Sequence, residues 1–81
     1  MVFIILRSIT YAQRAKDRLA KQGISSSITR VPLTLGKNGC GYALKIDEAQ
    51  LQEALACIKL GNIPITRVYR MVGERYEEIS I

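Results

Sequence analysis

The sequence contains no histidine and only two cysteines among its 81 residues. Without histidine, the chain cannot form a Ser–His or Cys–His nucleophile pair, a histidine-ligated metal site or a histidine general base. Two thiols are too few for a four-thiolate zinc or iron–sulfur site within one chain. A phosphate-binding loop of the G-x-x-x-x-G-K type is also missing. We therefore expect no cofactor and no resident metal, and the sequence leaves open whether the chain is an enzyme.

Long hydrophobic runs are missing as well. The apolar run Val2 to Leu6, which only Met1 extends, is far shorter than the about 20 residues that a membrane-spanning helix needs. No basic region and no small-residue cleavage site surround that run, so we expect no signal peptide. Hydrophobic residues make up 48% of the chain and charged residues 23%, which excludes intrinsic disorder. We expect a soluble, cytoplasmic single domain over residues 1–81, with a core at about 2–71 and a C-terminal arm at about 72–81.

Positive charge predominates in this chain. The formal net charge is +5 and the sequence pI is near 9.6. A basic protein favours anionic partners, which here means acidic proteins, small anions or nucleic acid.

Hydrophobic periodicity and helix-capping patterns divide the chain into alternating strands and helices. Thr10 with Gln13 and Asp47 with Gln50 each fit a capping box, while Gly23 and Gly61 fit helix ends. The predicted elements, in chain order, are strand Val2–Leu6, helix 10–22, strand 24–31, strand Tyr42–Ile46, a helix from 47 to 61, strand 65–71 and a return strand 76–81.

The order β-α-β-β-α-β predicts an α+β fold of the ferredoxin-like plait type, with an added C-terminal hairpin arm. Right-handed crossovers would place strands 1 and 3 in the middle of an antiparallel sheet and both helices on one face. Phe3 and Ile5 are then expected on the other face. An apolar pair there needs a cover, either a second copy in a homodimer or the C-terminal hairpin.

The segment Gly39-Cys40-Gly41 has the most chemical interest in the sequence. A cysteine between two glycines, in the glycine-rich segment 32–41, lacks the large neighbours that usually bury a structural cysteine. Its thiolate is the reactive form, and nearby cations favour that form. Cys40 is therefore our candidate reactive thiol, with Gly39 and Gly41 giving it a flexible backbone.

Four cations are candidates to stabilise this thiolate. We expect both helices to end beside residues 32–41, which brings their last-turn lysines close to Cys40 and sets the negative helix ends against the thiolate. The candidates are Lys37, Lys21, Lys59 and Arg67.

The second cysteine, Cys57, lies beside the apolar stripe of the second helix. A partly buried structural cysteine explains it best. The helix nevertheless runs back toward the Cys40 end, so Cys57 is also a candidate resolving thiol. A permanent disulfide is not expected in a reducing cytosol.

From Phe3 to about Tyr69, the chain resembles the putative selenium/sulfur carrier protein-like family. The resemblance rests on Ser8 and Ala12 at the start of the first helix, Gly23-Ile24 at its end, Val31-Pro32 after the second strand, and Cys40-Gly41-x-Ala43-Leu44-Lys45. It implies that Cys40, with Gly41 beside it, carries sulfur or selenium between a donor and an acceptor protein.

Two other functions compete with this one. The chain could be a non-catalytic dimeric interaction or regulatory module, since a plait fold alone does not fix function. Nucleic-acid binding is disfavoured, because RNA-binding plaits stack bases on aromatics of the central strands. Only Phe3 and Tyr42 are available on the two predicted central strands, and the sequence does not show that they share a face. No membrane partner is expected.

Overall fold

The computed structural model describes residues 1–30 and 42–79. Its elements are β1 (Val2–Leu6), α1 (Ile9–Lys21), β2 (Ser27–Arg30), β3 (Tyr42–Ile46), a short 3₁₀ helix (Glu48–Gln50), α2 (Leu51–Leu60), β4 (Arg67–Val72) and β5 (Arg75–Ile79). The protein is therefore α+β, with two α-helices in the described residues, as predicted.

The strands form one sheet in the order β2-β3-β1-β4-β5. Every neighbouring pair is antiparallel. β1 occupies the centre, where a strand must be apolar on both of its faces. All five of its residues are buried, which explains why the run Val2–Leu6 contains no polar residue.

Both helices cover the same face of this sheet. Val2, Ile4 and Leu6 of β1 pack in one cluster with the buried faces of the two helices. In α1 this buried face consists of Ala12, Ala15 and Leu19, which recur at helical spacing. The small alanines let the helix approach the sheet closely.

The opposite face, which we call the open face, carries a second cluster made of Phe3, Ile5 and Ala43. Phe3 and Ile5 are only 6% and 8% exposed because Tyr69 and Tyr76 pack against them. The ring centroids of Phe3 and Tyr76 are 5.6 Å apart in an edge-to-face arrangement. The expectation that Phe3 and Ile5 share this face is confirmed, and the β4–β5 hairpin covers them within one chain.

Helix α1 begins earlier than its sequence pattern predicted. Ser8 is the N-cap, and its hydroxyl accepts a hydrogen bond from the Tyr11 N–H at 3.3 Å. Thr10 lies inside the helix, so the capping box predicted for Thr10 and Gln13 is wrong. β1 ends at Leu6, and Ser8 is the first residue with a hydroxyl after it, which explains the earlier start. Gly23 takes the left-handed conformation predicted at the helix end, with φ of 78°.

The second capping box is also wrong. Asp47 precedes the 3₁₀ helix, and neither its side chain nor that of Gln50 makes a capping hydrogen bond. The chain tightens into a 3₁₀ turn first, so the α-helix starts four residues after Asp47. At the other end, Gly61 is the C-cap, as predicted, but it is Asn62 that has the positive φ, at 57°.

The C-terminal arm forms the hairpin that the sequence indicated. β4 and β5 are joined by a tight turn in which Gly73 has a φ of 62°, and Val72 pairs with Arg75 beside it. β5 thereby becomes an edge strand of the sheet. Neither α-helix in the described part of the chain has the length and hydropathy that a membrane crossing requires.

Candidate functional site

The described residues on either side of segment 31–41 meet at one end of the sheet. Arg30, the last residue of β2, pairs with Tyr42, the first residue of β3, and Tyr42 also pairs with Leu6. We call this the Tyr42 end of the sheet, defined by Arg30, Tyr42 and Leu6. Cys40, Gly39, Gly41 and Lys37, which the sequence singled out, lie outside the described residues.

The two helices run in opposite directions relative to the Tyr42 end. α1 starts two residues after Leu6, so it begins at this end. β2 follows α1 and starts at Ser27, which pairs with Lys45 near the other end of the sheet. The expectation that both helices end beside residues 32–41 is therefore wrong for α1. Lys21, in the last turn of α1, lies away from the Tyr42 end.

Because α1 begins at the Tyr42 end instead of ending there, its helix dipole acts at that end with the opposite sign. The N-terminus of a helix carries a positive partial charge, whereas the C-terminus carries a negative one. The first turn of α1 contains no acidic residue that would neutralise this charge. At the Tyr42 end, α1 therefore favours an anion rather than opposing it.

Lys59 belongs to the same region as the start of α1. It lies in the last turn of α2 and lines an open groove of about 610 Å³ together with Tyr11 of α1 and the connection 62–65. That connection leads into Thr66, whose N–H donates to the Ile5 carbonyl at 2.9 Å. The structure thus places Lys59 on the side of the molecule where β1 ends.

Arg67 also lies near the Tyr42 end, but on the open face of the sheet. It pairs with Ile5 in the register of β1 and β4. Its Nη1 is 2.8 Å from Glu78 Oε1. Tyr69 and Glu78 beside the guanidinium raise the pKa of Arg67 above its ordinary value, so the group is a permanent cation with a carboxylate partner.

Sequence reasoning missed two further cations at this end. Arg30 is the exposed residue directly opposite Tyr42, and Arg7 is the exposed residue that follows Leu6. The antiparallel pairing of strands 2 and 3 was the signal that could have found Arg30, since the residue before such a connection lies opposite the residue after it.

Cys57 is a free thiol at the contact between the helices. It is partly buried, and its Sγ donates to the Arg18 carbonyl oxygen at 3.6 Å. In return, the Nε of Arg18 donates to the Cys57 carbonyl oxygen at 3.3 Å. This reciprocal pair gives Cys57 a structural environment, and its predicted role as a resolving thiol stays a prediction.

The described residues do not assemble a metal site. Within residues 1–30 and 42–79, no three Cys, Asp or Glu side chains come together in a group that could hold an ion. At the Tyr42 end, the described residues therefore provide positive charge, from cationic side chains and from the start of α1, next to the two ends of segment 31–41.

One comparison with known proteins gives a match. The family model described as "Putative Se/S carrier protein-like" matches residues 1–70, a range that includes the Tyr42 end, Cys40 and both helices. No curated protein and no solved structure matches the chain.

Proposed function

We propose, on the premise that this chain belongs to the putative Se/S carrier protein-like family, that it carries sulfur or selenium on Cys40 between partner proteins. The match over residues 1–70 is the observation that carries the proposal. Cys40 is one of two cysteines in the chain, and Cys57 is engaged between the helices. Cys40 is therefore the better candidate for the carrier thiol.

The transfer is a thiol–disulfide type of exchange. The Cys40 thiolate attacks the outer sulfur of a donor persulfide, R–S–SH. A bond forms between Cys40 Sγ and that sulfur, the donor's S–S bond breaks, and the donor leaves as the thiolate R–S⁻. The product, Cys40–S–SH, passes its outer sulfur to an acceptor nucleophile, and the Cys40 thiolate returns. With selenium in the outer position, the carried species is Cys40–S–SeH.

The geometry of the Tyr42 end supports this assignment. Two peptide units separate Cys40 from Tyr42, so their Cα atoms lie within about 7 Å of each other. Arg30 is directly across from Tyr42, and Arg7 follows its other partner, Leu6. These cations, with Lys59 and the start of α1, favour the thiolate and the anionic persulfide. Lys37 and Arg67 also remain in the proposal, whereas Lys21 does not.

We also assign the sheet to the ferredoxin-like plait, with β5 added beyond β4. The strand order of the first four strands, 2-3-1-4, and the placement of both helices on one face support this. One continuous sheet from β1 to β5 favours a single domain over residues 1–81. A cytoplasmic location agrees with a carrier thiol that must stay reduced.

A persulfide assay tests the carrier function directly. The protein is incubated with a cysteine desulfurase and cysteine, and its peptides are then analysed by mass spectrometry. We expect a gain of about 32 Da, one sulfur atom, on the peptide that contains Cys40 and its loss in Cys40→Ser. Cys57→Ser is the matched control and should keep the adduct. An adduct on Cys57 alone, or none on a thiol that iodoacetamide alkylates freely, contradicts the proposal.

The pH dependence of alkylation tests the electrostatic part separately. If the cations at the Tyr42 end favour the thiolate, the alkylation rate of Cys40 should reach half of its maximum below pH ~8.5, the value for a free cysteine. Arg30→Gln should move this midpoint upward, while Lys21→Gln should leave it in place because Lys21 lies away from the Tyr42 end. An equal effect of both substitutions would contradict the placement.

The competing interaction module makes the opposite prediction for Cys40. In that reading Cys40→Ser is silent, and the function is a homodimer through the open face. The homodimer stays a prediction, and size-exclusion chromatography with light scattering tests it. The main reason for proposing it has weakened, because Tyr69 and Tyr76 pack against Phe3 and Ile5 in a single chain.

A further inference from the structure

Apart from Arg67 near the Tyr42 end, the open face of the sheet has no part in the proposed carrier function. The register places its residues in rows across the strands. They are Ser27 and Thr29 in β2, Ala43 and Lys45 in β3, Phe3 and Ile5 in β1, Arg67, Tyr69 and Met71 in β4, and Tyr76 and Glu78 in β5. Three of them are aromatic, and neither α-helix covers this face.

The aromatic residues lie side by side on this face. Tyr69 of β4 is directly opposite Phe3 of β1, and the Tyr76 ring packs edge-on against Phe3. Phe3 is almost fully buried, but Tyr69 and Tyr76 are partly exposed. The two tyrosines are therefore accessible in part to a ligand on this face, while their packing against the Phe3 cluster holds them in place.

Cations flank these rings. Lys45 pairs with Phe3 on the side away from Tyr69, and Arg67 lies two residues before Tyr69 on the same face. Lys45 is exposed, and among the described residues no carboxylate forms a salt bridge with it. Glu78 is the one acidic residue in the rows of this face, and it pairs with Arg67.

We propose that the open face binds a single-stranded nucleic acid, whose bases stack on Tyr69 and Tyr76 while Lys45 and Arg67 contact its phosphates. Single-strand binding surfaces combine aromatic rings with a positively charged track, because every base has a stacking face and every nucleotide has a negative charge. The net charge of +5 attracts the same ligand. This binding does not depend on Cys40.

Phe3 and Tyr42, the aromatic residues that the sequence offered for base stacking, do not share a face, but Phe3 has other aromatic neighbours. Tyr42 pairs with Leu6 and packs on the helix side, so Phe3 and Tyr42 indeed lie on opposite faces. The aromatic partners of Phe3 are instead Tyr69 and Tyr76, on the β4–β5 hairpin. Local sequence patterns could not reveal this pairing, since it depends on the register between strands far apart in the chain.

A second copy of the chain fits this face less well than a nucleic acid does. Phe3 and Ile5 are already more than nine-tenths buried, so a partner protein would gain little apolar area from them. Two copies would also bring together two faces that each carry Lys45, which has no salt bridge among the described residues, in a protein whose net charge is +5. Like charges of this kind disfavour self-association.

Fluorescence anisotropy tests the proposal with labelled oligouridine RNA and oligothymidine DNA of about 12 nucleotides, a length within the site sizes of small single-strand binding folds. A duplex of equal length is the comparison. We expect both single strands, or one of them, to bind more tightly than the duplex. Tyr69→Leu should weaken this binding about tenfold, because one stacked base is lost, whereas Tyr69→Phe should keep it.

Matched variants on the helix side separate stacking from general charge attraction. Tyr11→Leu and Lys16→Gln change a tyrosine and a lysine away from the open face and should leave affinity close to that of the wild type. Lys45→Gln should weaken binding and lower the slope of log affinity against log salt by about 0.7, the value for one phosphate contact on a single strand. Circular dichroism confirms that each variant is folded.

Three results would overturn the proposal. These are no binding of either single strand at low salt, equal affinity for the duplex, and equal losses in the open-face and helix-side variants. A stable dimer that Tyr69→Leu converts to a monomer would show instead that a second copy occupies the face.

Discussion

Replacement of Gly61 by alanine tests how the two helices are held together where α2 ends. A Cβ atom at Gly61 would lie 2.5 Å from Nε and 2.6 Å from Cδ of Arg18. Contacts this short cannot persist, so the Arg18 side chain must move. The movement breaks the hydrogen bond from Arg18 Nε to the Cys57 carbonyl oxygen, which is one of the last carbonyls of α2.

The magnitude follows from two opposing effects. Loss of the hydrogen bond costs about 0.5–1.5 kcal/mol. Gly61 has an ordinary φ of −84°, so alanine there restricts the unfolded chain and stabilises the fold by about 0.4–1 kcal/mol. When Arg18 is present these two effects nearly cancel, so Gly61→Ala should lower the free energy of unfolding by at most about 1 kcal/mol. In an Arg18→Ala background only the stabilising effect remains, so the same substitution should raise the free energy of unfolding.

A double-mutant cycle measures this change of sign. Urea unfolding followed by circular dichroism gives the free energy of unfolding for the wild type, both single variants and the double variant. We expect a coupling energy of about 1 kcal/mol between the two positions. If Gly61→Ala changes stability equally with and without Arg18, the contact between Arg18 and the end of α2 contributes nothing and the reasoning fails.

Two further predictions concern the start of α1 and the cover of the open face. Ser8→Ala should lower the free energy of unfolding by about 1 kcal/mol because the Tyr11 N–H loses its acceptor, while Thr10→Ala should change it by less than about 0.5 kcal/mol. Urea unfolding measures both, and a larger loss for Thr10→Ala than for Ser8→Ala would show that Thr10 is the cap. Tyr76→Ala should lower the free energy of unfolding by about 0.5–1.5 kcal/mol through loss of the Phe3–Tyr76 ring contact alone. It should also increase the binding of a hydrophobic dye, because Phe3 and Ile5 become exposed. Unchanged dye binding would mean that another residue covers them.

The elements of this fold were largely predictable because their signals are local. β1 is an apolar run of five residues, and the two helices show clear apolar stripes. The capping residues were not predictable to the same degree. Thr10 and Gln13 fit the capping pattern better than Ser8 does, yet Ser8 caps α1, since the end of β1 limits where the helix can start.

The end of the sheet at which a charged residue lies depends on the direction of its helix. That direction follows from the order and pairing of the strands, and local sequence patterns do not show it. A helix that follows β1 starts where β1 ends, and β3 starts beside that same point because the two strands are antiparallel. The start of α1 therefore had to lie at the Tyr42 end. Lys21 was predicted at the wrong end of the sheet for this reason. Lys59, in the last turn of α2, lies on the side where β1 ends, and its proximity to Cys40 stays a prediction.

The direction of α1, which is opposite to the predicted one, strengthens the proposal that the Tyr42 end favours a thiolate. With both helices ending there, two negative helix ends would have opposed the cations. With α1 beginning there, its positive end stabilises a nearby anion by about 0.3–1 kcal/mol. Of the two described α-helices, α2 acts in the opposite sense, and Lys59 lies in its last turn. The fold therefore replaces the contribution expected from Lys21 with one of the same sign, so that the proposed role of Cys40 does not require Lys21.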